Sequence, residues 1–186
     1  MIYLTFILQK SFILSRDGDH HPIQSDRDKV QDRRVIMPSD MILVTVDSVS
    51  YDEKSSLFRV ALKDQETGKV LPIFVGTFEG NAITIAIREI PTARPLTHDL
   101  MASVISKLKG SVNRILVADL RDNIYFAYIY IQMGEKDVAI DSRPSDAIAL
   151  ATRLKVPIYV SEKLRSKFVD EYEEILTRID PGETVH

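Results

Sequence analysis

A polar hexapeptide, Asp141-Ser142-Arg143-Pro144-Ser145-Asp146, stands between the apolar runs Val138–Ile140 and Ala147–Ala151. Nothing else in the chain narrows its fold as sharply. Val138–Ile140 reads as the end of a buried strand and Ala147–Ala151 as a buried helix, so the chain must pass from one to the other within these residues. Pro144 suits the first helical turn, where its missing N–H removes no hydrogen bond and its φ is already set. Unpaired N–H groups at that helix start favour anions, and Arg143 adds a fixed positive charge beside them. Asp141 and Asp146 bring two carboxylates to the same junction. A second segment, Arg94-Pro95-Leu96-Thr97-His98-Asp99-Leu100, repeats this make-up, with Thr97 read as the N-cap and His98 and Asp99 in the first turn. Two polar helix starts of one chemical kind predict a composite site. The segments should lie side by side, within hydrogen-bonding reach, because such junctions are not buried separately without partners.

The rest of the chain supplies strands and helices to carry these junctions. Alternation predicts strands over 42–49, 57–63 and 70–75, with a turn at 64–69 in which Gly68 gives the permissive backbone. Residues 77–90 fit two periods, and their length and alanines favour a helix with Phe78, Ala82, Ala86 and Ile90 on one stripe. Leu100, Met101, Val104, Ile105 and Leu108 define an amphipathic helix stopped by Gly110. A hairpin follows, with strands 114–120 and 124–132 around Arg121-Asp122-Asn123, then a strand at 138–141 and a helix from Pro144 to Leu154. Residues 157–160 form a short buried strand. Ser161 then caps a long helix whose apolar face is Leu164, Phe168, Tyr172, Ile175 and Ile179, ended by Pro181-Gly182. Leu71-Pro72-Ile73-Phe74-Val75-Gly76 echoes Val156-Pro157-Ile158-Tyr159-Val160-Ser161, which reads equally as a pseudo-repeat and as convergence of compact strand–helix turns. Strands in a run, then mixed with helices, predict an α+β fold: a single compact domain with a mixed β-sheet flanked by helices.

Residues 1–40 have a different character. Their first 14 are apolar but broken by Gln9, Lys10 and Ser11, short of the roughly 18–20 residues of a membrane helix. No signal-peptide pattern is visible, and residues 15–34 are charged without apolar period, the composition of a loop or disordered extension. His20 and His21 beside Asp19 offer too few ligands for a metal clip. The expected domain therefore runs over 41–180, and a natural start at Met37 or Met41 fits the same boundary.

With 186 residues, one domain with a sizeable core is favoured. The absence of cysteine excludes disulfides, thiolate metal sites and cysteine nucleophiles, and fits a cytoplasmic location. A net charge of −3 lacks the basic excess of a protein that grips nucleic acid through its backbone alone, so any polyanion must meet a local basic patch or metal ions. No P-loop, G-x-G-x-x-G, H-E-x-x-H or G-x-S-x-G word occurs, and Ser145 has no base at nucleophile spacing.

Four words in fixed order carry a resemblance: L-P-I-F-V-G-x-x-E-G at 71–80, R-P-L-T-H-D-L at 94–100, D-S-R-P-S-D-A-I-A-L-A at 141–151 and V-P-I-Y-V at 156–160. Together they resemble the bifunctional nuclease domain family over about residues 41–165. The resemblance implies a compact α+β domain with a mixed sheet, and the family's name implies cleavage of both RNA and DNA. It brings no agreed catalytic constellation with it.

Phosphodiester cleavage needs an attacking water, charge neutralisation on the phosphoryl oxygens and help for the leaving oxygen. Asp99, Asp141 and Asp146, with Glu79 fourth, are the acids to hold a divalent ion, and hard oxygen ligands suit Mg²⁺ or Mn²⁺. Arg94 and Arg143 would clamp the phosphate, and His98, alone of the histidines in these words, would act as general acid or base. Each residue has a plainer reading. Asp99 would be a helix-dipole partner, Glu79 a charge at a helix start, and His98 a hydrogen-bond donor to a carbonyl. Asp141 and Asp146 would pair with Arg94 and Arg143 to lock the two helix starts. That second set fits a non-catalytic, homo-oligomeric binding or regulatory module, with the apolar helices as surfaces for self-association. Carboxylates converging on an open cleft would favour the metal-assisted enzyme, and carboxylates each facing an arginine the structural module.

Overall fold

The computed structural model describes residues 40–171. The readings made on the first 39 residues, and on the chain beyond Glu171, lie outside the described residues. Strand β1 (Met41–Asp52) opens with the expected alternation, Ile42 and Val44 buried and Leu43 and Thr45 exposed. β2 (Leu57–Asp64) and β3 (Val70–Val75) complete an antiparallel meander with it. Helices α1 (Thr77–Ile87) and α2 (Thr97–Lys107) follow, then the antiparallel strands β4 (Gly110–Arg121), β5 (Ile124–Met133) and β6 (Lys136–Ser142). α3 (Pro144–Leu154) leads into the four-residue β7 (Ile158–Ser161) and a 3-10 helix over Glu162–Lys167.

The seven strands form one sheet in the order β3-β2-β1-β7-β4-β5-β6. β7 lies at its centre, antiparallel to β1 and parallel to β4, so the sheet is mixed and the fold is α+β as expected. α3 packs on β4 and β5, with α1 on one side of it and α2 on the other. Ile148, Ala149, Leu150 and Ala151 of α3 are fully buried in one core with Val60, Leu62, Ile115 and Val117 of the sheet. Among the described residues, no helix is long and apolar enough to cross a membrane.

Turn chemistry fixes the register. Asp122 and Asn123 both take positive φ, at 48° and 61°, the conformation of a two-residue type I′ hairpin loop. Asp64, 1% exposed, ties the β2–β3 turn through Glu66 N–H (2.9 Å) and the Thr67 hydroxyl (2.7 Å), and accepts from Arg165 Nη1 at 2.7 Å.

Several local expectations are corrected. The buried face of α1 is Gly80, Ile83 and Ala86, whereas Phe78 is 87% exposed and Ile90 lies past the helix. The physical reason is Gly80: a Cβ there would stand 2.2 Å from the Phe58 ring, so only glycine lets α1 sit this close to β2. The chain leaves α2 through Lys109, two residues past its end, which takes φ 62°, and Gly110 instead begins β4, where a Cβ would press Ile131 at 3.0 Å. Only Met101, Ala102 and Ile105 of α2 reach the core, and Leu100, Val104 and Leu108 face outward. β6 is an edge strand with Ala139 and Ile140 exposed, not a buried one. Ser161 accepts from Lys163 N–H at 3.4 Å, but the helix it starts is a short 3-10 turn. Val169 exchanges hydrogen bonds with Val70 (2.8 and 2.9 Å), and this pairing with the free edge of β3 ends the helix at Lys167. The strand echo does not extend to environment, since β3 is followed by α1 near a sheet edge and β7 by the 3-10 turn at its centre.

Candidate functional site

Arg143 is the N-cap residue of α3, extended at φ −70° and ψ 145°, with Pro144 in the first turn as the sequence predicts. The cap position turns its side chain back along the helix start. Nε donates to Asp146 Oδ2 at 2.7 Å and Nη2 to Asp146 Oδ1 at 3.1 Å, a bidentate fork. The third arm, Nη1, donates to Glu79 Oε1 of α1 at 2.9 Å. Glu79 itself folds back over the start of its helix, where a Cβ on Gly76 would meet its Oε2 at 2.5 Å. His98, in the first turn of α2 and 7% exposed, brings Nε2 to 3.4 Å from Asp146 Oδ1.

The first turns of three helices are therefore knit through the chain Glu79, Arg143, Asp146, His98. The two polar segments do lie within hydrogen-bonding reach, and α1 joins them. The contact to His98, with the Arg143 fork, holds the Asp146 carboxyl down at about 2, against the opposing effect of burial. Arg143 is held above the ordinary arginine range, chiefly by its hydrogen bonds to Asp146. Asp146 is thus ionised at neutral pH and can only accept, so His98 Nε2 is the donor of this contact. The arrangement keeps a permanently charged guanidinium, 64% exposed, in one orientation at the protein surface.

The remaining residues singled out in the sequence lie elsewhere. Asp99 Oδ2 accepts from Leu96 N–H at 2.8 Å, and its Oδ1 is 3.4 Å from Arg153 Nε. Leu96 is the N-cap residue of α2 and Thr97 its first helical residue, so the cap is made backwards by Asp99 rather than forwards by Thr97. Arg94 sits exposed in the loop before α2 and makes no ion pair or side-chain hydrogen bond with a described residue, while its carbonyl accepts from Thr92 Oγ1 at 2.9 Å. Asp141 is exposed on β6 opposite Tyr128, also without a partner among the described residues. The pairing of Arg94 with a carboxylate, and of Asp141 with an arginine, does not form. Ser145 is buried at the start of α3. Arg153, which no sequence word marks, packs under Asp99 with its side chain 11% exposed. In sequence it looks like an ordinary basic residue in a helix's last turn.

The four acids named as metal ligands do not fit a preformed centre. Glu79 and Asp146 are bridged by Arg143, Asp99 faces Arg153, and Asp141 stands apart. Among the described residues, no three histidine or acidic side chains are placed to hold one ion.

A mixed-sheet α+β domain with conjoined polar helix starts is the class these features define. The model of the bifunctional nuclease domain matches residues 60–170, and the chain belongs to that family. It is 34% identical over 101 residues to an uncharacterized protein of Mycobacterium tuberculosis, a match covering 54% of this chain and 60% of that protein. It is 32% identical over 127 residues to bifunctional nuclease 2 of Arabidopsis thaliana, covering 66% of this chain and 37% of the plant protein. Bifunctional nuclease 1 of the same plant is 30% identical over 109 residues, covering 56% and 34%. The chain thus spans between about a third and three fifths of these relatives.

Proposed function

We propose that this protein hydrolyses phosphodiester bonds in RNA or DNA at the junction of the three helix starts. One observation carries the reading in a chain of this family: an exposed guanidinium, fixed by Glu79 and Asp146, next to the N-terminus of α3. A fixed, pre-oriented donor of this kind stabilises charge that builds on phosphoryl oxygens without reorganising first. Asp141, two residues upstream, exposed and without a partner among the described residues, is the carboxylate free to take a proton from the attacking water, while solvent protonates the leaving oxygen at this open surface. Asp146 and the buried His98 are positioning residues that hold Arg143. We place the protein in the cytoplasm as a homo-oligomer, which light scattering on the purified chain would measure.

A second reading, a non-catalytic binding or regulatory module, draws on the arginine that faces each of Glu79, Asp146 and Asp99. One paired experiment separates the two: cleavage of RNA and DNA, with and without Mg²⁺ or Mn²⁺, and thermal melting, on wild type, Asp141→Asn and Asp146→Asn. Loss of cleavage in Asp141→Asn with unchanged melting supports hydrolysis. Equal cleavage in wild type and both variants, persisting through further purification, rejects it, as does no cleavage by the folded wild type.

A further inference from the structure

We propose that Arg94 and Arg153 form a second phosphate subsite, in the cavity between the α1–α2 loop and α3. Resting on the nuclease reading, it takes a backbone phosphate of the bound strand other than the one at Arg143. The cavity holds about 310 Å³ and is walled by Ile90, Thr92, Arg94, Asp99 and Arg153 among others. That lies within the ~300–1,000 Å³ of small-ligand sites.

Arg153 brings a second positive charge to this cavity from α3. Its Nε and Nη2 are shut off from solvent and have no hydrogen-bond partner among the described residues. Nε is within ion-pair distance of Asp99 Oδ1, at 3.4 Å, but not aligned for a hydrogen bond. The other oxygen of Asp99 is engaged by the α2 backbone. Buried polar groups are satisfied in nearly all proteins, so a guanidinium left with two unused donors in a cavity wall is held there for its charge rather than for the bonds it makes. Arg94 on the same cavity has no carboxylate partner among the described residues.

Charge separates the two places. The Arg143 cluster sets one guanidinium against two carboxylates, so it is net negative and a poor first attractor for a polyanion. The Arg94–Arg153 cavity sets two guanidiniums against one carboxylate and is net positive. Guanidinium forks match phosphate oxygens in geometry as well as charge. Pro91 and Pro95 fix φ on either side of Arg94, and the Thr92 hydroxyl bonds its carbonyl, so the loop presents Arg94 with little freedom left to lose.

The test uses the full chain and two probes. Inorganic phosphate is titrated calorimetrically in a chloride buffer, and a short phosphorothioate-linked single strand is titrated by anisotropy over a range of salt concentrations. Wild type should bind both. Arg94→Gln, at an exposed position, should melt like wild type, bind the strand about tenfold more weakly, and lower the slope of log K against log salt by about 0.7. Arg153→Gln removes the second positive charge of the cavity, so affinity and slope should fall in the same direction. Unaltered affinity and slope in both variants overturns the subsite and leaves the nuclease reading intact. Arg94-dependent phosphate binding with no strand binding keeps the anion site and removes the nucleic-acid half. A wild type that binds neither probe overturns the whole proposal.

Discussion

The Arg143-Pro144 and Arg94-Pro95 segments read alike in sequence and do opposite things in the fold. In the first, proline is the first residue of α3 and the arginine before it caps the helix, so the guanidinium turns onto its own helix and onto α1. In the second, α2 starts two residues after the proline, and the arginine stays in the loop with its charge unmatched. The cap of α2 is left to Asp99, which draws that carboxylate inward, away from the cluster that His98 joins. Two residues of offset between proline and helix start decide whether an arginine is drawn into the cluster of helix starts or stays in the loop.

The sharpest way to break this contrast is to remove each arginine. Arg143→Ala should lower cleavage by about 100-fold, the usual loss when one fixed charge-stabilising donor is deleted. Its melting should fall by only about 1 kcal/mol, because the ion pair is open to solvent. Equal cleavage in Arg143→Ala and wild type would dissolve the distinction between the two segments.

Asp146→Asn has a smaller expected effect on cleavage but the largest on stability. A carboxyl lowered from 3.8 to about 2 stabilises the fold by about 2 kcal/mol. Because the folded value lies below the unfolded one, that contribution is complete above pH ~4 and disappears as pH falls through about 2. Melting curves of wild type minus Asp146→Asn should therefore converge between pH ~4 and ~2. Parallel curves over that window would show that Asp146 is not held as described. Asp99→Ala should cost about 1 kcal/mol through loss of the α2 cap, read as a lowered melting temperature. Smallest of all, Asp141→Asn should melt within about 0.5 kcal/mol of wild type, having no partner to lose.

What the sequence could disclose follows from what local chemistry determines. The hairpin around Arg121-Asp122-Asn123, the α3 start at Pro144 and the alternation of β1 are set by neighbours along the chain, and all are found where the sequence puts them. The α1 face departs from the one its periodicity predicts because the close approach of Gly80 to Phe58 is a contact between distant residues that no periodicity encodes. The 3-10 turn after Ser161 ends early for the same kind of reason, since Val70 competes for its backbone. In the site, the adjacency of the 94–100 and 141–146 segments was legible from their shared polarity. The division of labour between their arginines was not, because it depends on Glu79 arriving from α1 and on Arg153 lying two turns along α3.

The position of β7 bears on how the chain can be assembled. Within the meanders β1–β3 and β4–β6 each strand pairs with its neighbour in sequence, so either one can zip up locally as it leaves the ribosome. The four residues that weld them arrive last, after Pro157, and must slot between two edges already in place. Such late, long-range closure is slow. Until Ile158 and Val160 are made, the nascent protein is two open half-sheets, each exposing an edge that invites the wrong partner.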